Sequence, residues 1–212
     1  MKSLWDLLFP RKCILCGCLL EGEDVLCGQC RKDGPNYPTR KTKSQFLDSY
    51  TAVWYYKENV RRSLLRYKFY HGTYLAPAYG RLLAARIRTV YPDGFDLLTW
   101  VPTASLRKFR RGYDQAELLA KAVGRELGIP PVKLLKKIRN NRAQSGLQNA
   151  AQRRANVIGV YELTGKASVQ GKRILLLDDI FTTGATAGEC ARMLRTAGAK
   201  EVHCAVMAAG EK

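Results

Sequence analysis

Residues 175–186 read LLLDDIFTTGAT. Together with Ile174, the first three leucines make four apolar residues in a row, the pattern of a strand buried on both faces. Asp178 and Asp179 follow at once, and then Thr182, Thr183, Gly184, Ala185 and Thr186 lead into a helix. A turn at a helix start offers backbone N–H groups that lack intrahelical partners, and the helix dipole favours an anion there. Gly184 lets the backbone approach such an anion with no side chain in the way. Three threonine hydroxyls add donors, so the turn suits a phosphate monoester. Ionised carboxylates only accept hydrogen bonds, which matches them to the vicinal hydroxyls of a ribose. They would also stabilise positive charge developing at the anomeric carbon, which makes Asp178 and Asp179 the candidate catalytic residues. A two-metal aspartate pair would share the DD but has no need of the threonine–glycine turn. The plain structural alternative is an ordinary strand–turn–helix.

Outward from this stretch the chain alternates short apolar runs with helical ones. Residues 184–197 have Ala187, Cys190, Ala191 and Leu194 on one helix face, with Gly198 at the end, and 202–207 form a closing strand. Residues 51–56 (TAVWYY) and 97–101 (LLTWV) read as strands. Residues 60–70, 75–90 and 114–127 read as helices, the last stopped by Gly128. Such alternation predicts an α/β fold with a parallel sheet covered on both faces. Ligands on such sheets bind at the carboxyl ends of strands, here after Val101 and after Leu177. There is no internal repeat and no low-complexity tract.

Four apolar residues, an acidic pair, two more apolar residues and Thr-Thr-Gly-x-Thr resemble the phosphoribosyl-pyrophosphate signature of type I phosphoribosyltransferases. Phe181 departs from the aliphatic residue more usual there. The resemblance implies that Asp178 and Asp179 hold the ribose, and that Thr182, Thr183, Gly184, Ala185 and Thr186 hold its 5′-phosphate. It also places the pyrophosphate loop after Val101, where Thr103, Arg107, Arg110 and Arg111 stand. Arginine forks suit pyrophosphate oxygens. The same cations, with Lys108, equally suit a nucleic-acid backbone or a solvated surface.

The formal net charge is +18 over 212 residues, a surplus that argues for a polyanionic partner. Residues 102–156 hold thirteen Lys and Arg against three acidic residues, a net +10. Arg107, Lys108, Arg110, Arg111, Lys136, Lys137, Arg139, Arg142, Arg153 and Arg154 are the candidate nucleic-acid contacts, with Phe109 and Tyr113 as aromatic company. Residues 142–156 (RAQSGLQNAAQRRAN) show no buried face and suggest an arm or hood. It would either close over the sugar and exclude water or grip a nucleic-acid backbone.

Five cysteines fall within the first thirty residues. Cys13 and Cys16 form one CxxC turn, and Cys27 and Cys30 another, ten residues on. Four thiolates so arranged suit a tetrahedral, structural zinc, with a redox CxxC pair as the rival. Cys18 is a spare that could exchange roles with Cys16. Cys190 and Cys204 sit at apolar positions of a helix and a strand and read as core. Residues 33–45 are polar and basic, the look of a linker. The expected division is a zinc knuckle over 1–36, a linker over 37–46 and the larger domain over 47–212. The opening MKSLWDLLFPRK is too short and too broken for a signal-peptide core or an integral membrane segment. The default compartment is the cytoplasm, where the cysteines stay reduced.

A four-cysteine knuckle before such a domain resembles the ComF family. The marks are CILC with CGQC, the basic helix ending YKFYHG, VPTASLRKFRRGYDQAELLA, residues 144–156 and LLLDDIFTTGAT. The resemblance covers essentially the whole chain. It implies phosphoribosyl pyrophosphate carried with Mg2+, Zn2+ in the knuckle, and handling of incoming single-stranded DNA during natural transformation. It further implies other competence DNA-uptake proteins as partners and a place beside the membrane uptake machinery. An active phosphoribosyltransferase of nucleotide salvage, with no direct DNA role, is the alternative. Neither His71 nor His203 reads as a convincing general base.

Overall fold

The central element is a nine-residue strand, Arg173–Phe181, in which Ile174, Leu175, Leu176 and Leu177 are all completely buried. In the computed structural model, residues 10–32, 40–41, 45–70, 72–103, 112–139 and 150–210 are described. In chain order the elements are α1 (Gly28–Lys32), β1 (Arg40–Lys41), β2 (Ser49–Tyr55), α2 (Glu58–Phe69), a 3-10 turn (Gly72–Leu75), α3 (Ala76–Val90) and β3 (Leu97–Trp100). Then come α4 (Gln115–Leu127), β4 (Leu135–Lys137), α5 (Ala150–Ala155), β5 (Tyr161–Leu163), β6 (Arg173–Phe181), α6 (Ala185–Thr196) and β7 (Glu201–Ala209).

The main sheet runs β1-β2-β7-β6-β3. Strands β2, β7, β6 and β3 are mutually parallel, and β1 adds an antiparallel edge. Side chains alternate across a strand, so β6 feeds two cores. Leu175 and Leu177 join Tyr67, Tyr79, Leu83 and Leu119 from α2, α3 and α4. Ile174 and Leu176 join Cys190 and Leu194 from α6 and Leu134 beside β4. Each fully buried leucine contributes about 1.5–3 kcal/mol against exposure. Both cores therefore draw on one strand, and a parallel sheet with helices on both faces is the outcome. Cys190 and Cys204 lie in the second core, as expected of them.

Three local differences from the sequence expectation have simple causes. The apolar run ends at Leu177, but β6 continues to Phe181, because its ladder with β7 continues (Asp178↔Val206, Phe181↔Ala209). Within the polar stretch 33–45, Arg40 and Lys41 pair with Tyr50 and Ser49 as an edge strand, which needs backbone groups rather than apolar side chains. A separate two-stranded antiparallel ribbon, β4 with β5, was not visible in the sequence. Three residues per strand are too few to show a period. The segment 142–156, expected to lack a buried face, includes α5; its first residues lie outside the described ones, as do residues 1–9.

Helix α4 starts where Asp114 accepts from the N–H groups of Ala116 and Glu117, and it ends at Gly128 in the left-handed region (φ 73°). It packs on α3 through the smallest possible contact. A Cβ on Gly80 would stand 2.6 Å from the Cβ of Ala122. Gly80→Val should therefore force the helices apart and cost about 1–3 kcal/mol, the usual penalty for overpacking. A lowered melting temperature in thermal denaturation, with the sheet-end site still able to bind ligand in the folded fraction, is the expected result.

Candidate functional site

The turn after β6 is built around Gly184. Its φ of 74° lies in the left-handed region, and a Cβ there would stand 2.5 Å from the ring of Phe181. Both conditions demand glycine. Phe181, the departure from the aliphatic pattern, stacks on Tyr50 with ring centroids 3.9 Å apart and 9° between planes, flooring the turn. Gly184 is the N-cap of α6 and brings no side chain of its own to it. Thr182 and Thr183 are exposed beside it, and the Thr183 hydroxyl accepts from the N–H of Ala185 at 3.4 Å. A helix amino end behind such a turn is an arrangement that receives an anion.

Asp178 and Asp179 stand at the carboxyl end of β6, inside the strand rather than after it. Asp179 is buried, its N–H donates to Oδ1 of Asp178 at 2.8 Å, and its Oδ2 lies 2.8 Å from Nζ of Lys68. Burial pushes both carboxyls up. The charge of Asp179 pushes Asp178 higher still, so Asp178 lies well above the ordinary carboxylate range. In Asp179 the charge and hydrogen bond of Lys68 outweigh burial, and its carboxyl is held below that range. The two neighbouring carboxyls are thus pushed in opposite directions, with Lys68 favouring the charged form of Asp179. Lys68 comes from the last turn of α2 and was not among the sequence candidates. Its only signal was its place in the basic helix ending YKFYHG; nothing in the sequence links positions 68 and 179.

The second sheet-end loop is pinned from below. Thr103 donates to Asp114 through its N–H (2.9 Å) and its hydroxyl (3.2 Å). Asp114 is buried, and the same carboxylate caps α4. Tyr67 Oη donates to the carbonyl of Gln115, and Tyr113 Oη to the carbonyl of Tyr67, each at 2.7 Å, so the end of α2 and the start of α4 are locked together. Arg107, Lys108, Phe109, Arg110, Arg111 and Arg142 lie outside the described residues. The remaining basic candidates sit on and beside the ribbon. Lys136 pairs with Glu162 at 3.0 Å, Lys137 stands 5.6 Å from the Tyr161 ring, and Arg139 is exposed. Arg153 is half-buried in α5, which also includes Arg154. The ribbon is fastened to the phosphate helix. The N–H of Gly159 donates to Glu189 of α6 at 3.0 Å, and Arg192 holds the same carboxylate at 2.8 and 2.9 Å.

His71 lies outside the described residues. His203 occupies the amino-terminal half of β7, opposite Ser49 and Leu175, three residues short of the Val206 that pairs with Asp178. Its ring is engaged there by Ser49 at 2.8 Å and Glu201 at 3.2 Å.

The four cysteines of the two CxxC turns converge. Their Sγ atoms all lie within 4.8 Å of one another, with Cys16 and Cys27 3.7 Å apart. Zinc–sulfur bonds of about 2.3 Å place tetrahedral sulfurs about 3.8 Å apart, so the set fits a structural zinc. Burial opposes ionisation of Cys13, but N–H donors from Cys27, Cys16 and Leu15 prevail and draw it down to about 6. Burial pushes the Cys30 thiol up, a cost that a bound dication would offset. Cys18 is not one of the four. It is exposed, and the neighbouring thiols of Cys16 and Cys27 push its own up to about 12. The knuckle sits on α2: Ser63 Oγ donates to the carbonyl of Ile14, and Arg66 donates to the same carbonyl at 2.7 Å and to that of Leu15 at 3.1 Å.

Comparison with known proteins finds two family models along the chain. The phosphoribosyl transferase domain family matches residues 114–212, and the double zinc ribbon domain family matches residues 4–40. The chain is 29% identical to "Competence protein F" of Haemophilus influenzae over 90% of its own length and 81% of the relative's. It is 30% identical to "Competence protein ComFC" of Bacillus subtilis, over 88% of this chain and 72% of that one. It is 27% identical to "DNA utilization protein YhgH" of Salmonella typhimurium, over 90% and 81%. No helix among the described residues is long and apolar enough to cross a membrane.

Two outcomes follow from this geometry. Cys16→Ser should abolish bound zinc in metal analysis of the purified protein, whereas Cys18→Ser should retain it. Lys68→Met should lower stability at neutral pH by about 1.5–3 kcal/mol, the scale of a charge-assisted hydrogen bond. Because Asp179 is held below its unfolded value, that contribution is full above the ordinary carboxylate pKa, about 3.9, and fades as the pH falls through the folded value. Chemical denaturation of the two proteins as a function of pH should show the difference shrinking in acid.

Proposed function

The chain belongs to the ComF family of competence proteins, and we propose that it binds phosphoribosyl pyrophosphate with Mg2+ and handles single-stranded DNA during natural transformation. The observation that carries the first half is the amino end of α6 at the left-handed Gly184, set beside a carboxyl pair in which Lys68 holds Asp179. Thr182 to Thr186 would cradle the 5′-phosphate, with Ala185 contributing its N–H. Asp178 and Asp179 would accept from the ribose hydroxyls and stabilise the positive charge that grows at the anomeric carbon as pyrophosphate leaves. Mg2+ would travel with the pyrophosphate and neutralise it. Arg107, Arg110 and Arg111, with Thr103 at the loop's base, are assigned to the pyrophosphate oxygens. Transfer to a nucleophilic acceptor needs no histidine base at this site.

The DNA role rests on the net charge of +18, on the basic residues of 102–156 and on the names carried by the relatives. Backbone contacts of this kind weaken steeply with salt. The proposed setting is the cytoplasmic side of the uptake machinery, with other competence proteins as partners.

Isothermal calorimetry with phosphoribosyl pyrophosphate and Mg2+ tests the site. Binding to the native protein, lost at least tenfold in Asp178→Ala/Asp179→Ala, is expected; no binding, or unchanged binding in the double variant, rejects it. Oligonucleotide titrations at low and high salt test the DNA role, which fails if no binding is seen at low salt.

A further inference from the structure

Among the described residues, Leu19, Ile138 and Ile158 are large apolar side chains exposed singly, whereas three aromatic rings are exposed together close to the sugar-phosphate site. Phe69, Tyr70 and Tyr74 are 52%, 72% and 69% exposed. They lie within six positions of one another and next to Lys68, whose ammonium holds Asp179. Phe69 is the last residue of α2 and Tyr70 its C-cap, with its N–H bonded to the carbonyl of Arg66 at 3.0 Å. The chain then doubles back hard. A Cβ on Gly72 would stand 2.6 Å from the carbonyl oxygen of Arg66, so the 3-10 turn carrying Tyr74 is pressed against the end of α2. The rings are thus presented by packed backbone rather than by a long loop.

The surface around them is cationic. Helix α2 carries Arg61, Arg62, Arg66 and Lys68 against the single acid Glu58, which sits in its first turn, far from the rings. Arg62 and Phe69 are seven positions apart, two helical turns, and so lie along one line of the helix. Arg61 and Arg62 are exposed. Arg66 is spent on the knuckle's carbonyls, and by that contact it brings the knuckle, with exposed Arg11 and Lys12, alongside. The aromatic residues considered from sequence as DNA contacts were Phe109 and Tyr113. Phe109 lies outside the described residues, and the Tyr113 hydroxyl is engaged by the carbonyl of Tyr67.

Rings that are exposed on packed backbone and flanked by cations suit one ligand chemistry: unpaired bases on a phosphate backbone. Every base has a π face, and stacking tolerates any sequence. A protein partner with an apolar face would gain nothing from the surrounding arginines. We propose that Phe69, Tyr70 and Tyr74 form a stacking platform for the bases of a single strand, whose backbone runs along the Arg61–Arg62 side of α2, and that the platform holds this strand beside the sugar-phosphate pocket. The proposal rests on the DNA reading above and adds where and how the bases are held.

The test is fluorescence anisotropy with labelled oligothymidylate and with an abasic strand of the same length, at low salt. The native protein should bind oligothymidylate more tightly than the abasic strand. Tyr70→Ala/Tyr74→Ala should weaken oligothymidylate binding about 10- to 100-fold. Binding of the abasic strand, the salt dependence, and calorimetric binding of phosphoribosyl pyrophosphate should be unchanged. Tyr70→Phe/Tyr74→Phe, which keeps the rings, should bind as the native protein does. Equal affinity of the native protein for both strands overturns the platform, as does an alanine variant that binds oligothymidylate normally or loses both strands alike. If the native protein binds no oligonucleotide at all, the DNA reading falls and the platform falls with it, whereas an alanine variant that binds oligothymidylate as the native protein does removes the platform alone.

Discussion

Two adjacent carboxyl groups at the buried end of a central strand impose a charge problem, and Lys68 solves it. Without a cation the pair would have to stay largely protonated, because burial and mutual repulsion both oppose ionisation. The 2.8 Å contact from Lys68 favours the ionised form of Asp179 and sets the end of α2 against the carboxyl edge of the sheet. Much else follows from where α2 then lies. Tyr67, one residue earlier, ties it to the start of α4. Ser63 and Arg66, on its outer side, hold the cysteine knuckle by its carbonyls. Phe69 and Tyr70 emerge at its end. A single helix therefore connects the carboxyl pair, the cysteine module and the aromatic surface.

The phosphate turn has its own support. Gly184 can take a left-handed backbone only because nothing projects from its Cα, and the stacked rings of Phe181 and Tyr50 fill the space beneath. On the far side, Glu189 fastens the ribbon loop at Gly159 to the same helix that begins at this turn. A buried carboxylate paired with Arg192 and a backbone donor is satisfied in full, so the anchor is stable in its place. The chain just after the segment 142–156 is thus tied to α6.

The knuckle shows how a short sequence signal becomes a geometry. Two CxxC turns ten residues apart predict four sulfurs, and the structure brings those four within one tetrahedral set. The spacing left Cys16 and Cys18 interchangeable. The fold separates them, because the N–H of Cys13 bonds to the carbonyl of Cys18 at 2.8 Å and closes the knuckle around Cys16. Four sulfur ligands leave no open coordination position, so the module contributes stability and shape rather than metal chemistry. Its shape places basic residues against α2.

What the sequence determined alone is local and periodic. Four apolar residues in line make a buried strand, glycine after two threonines makes a phosphate turn, and paired CxxC turns make a thiolate cluster, because each depends on neighbours in the chain. The parallel sheet is legible for the same reason: its strands and helices carry their own periods. The tertiary structure alone decided which distant residues meet. Lys68 reaches Asp179 across 111 positions, Thr103 is pinned by Asp114, and Glu189 takes the N–H of Gly159. It also decided that β1, β4 and β5 exist, since these short strands are held by ladder bonds to partners rather than by any pattern of their own. Burial was decided there too. The same two aspartates that read as plain acceptors in the sequence are pushed apart, Asp178 above the ordinary carboxylate range and Asp179 below it, because desolvation and a lysine at hydrogen-bond distance are properties of a place, and no run of residues states where its place will be.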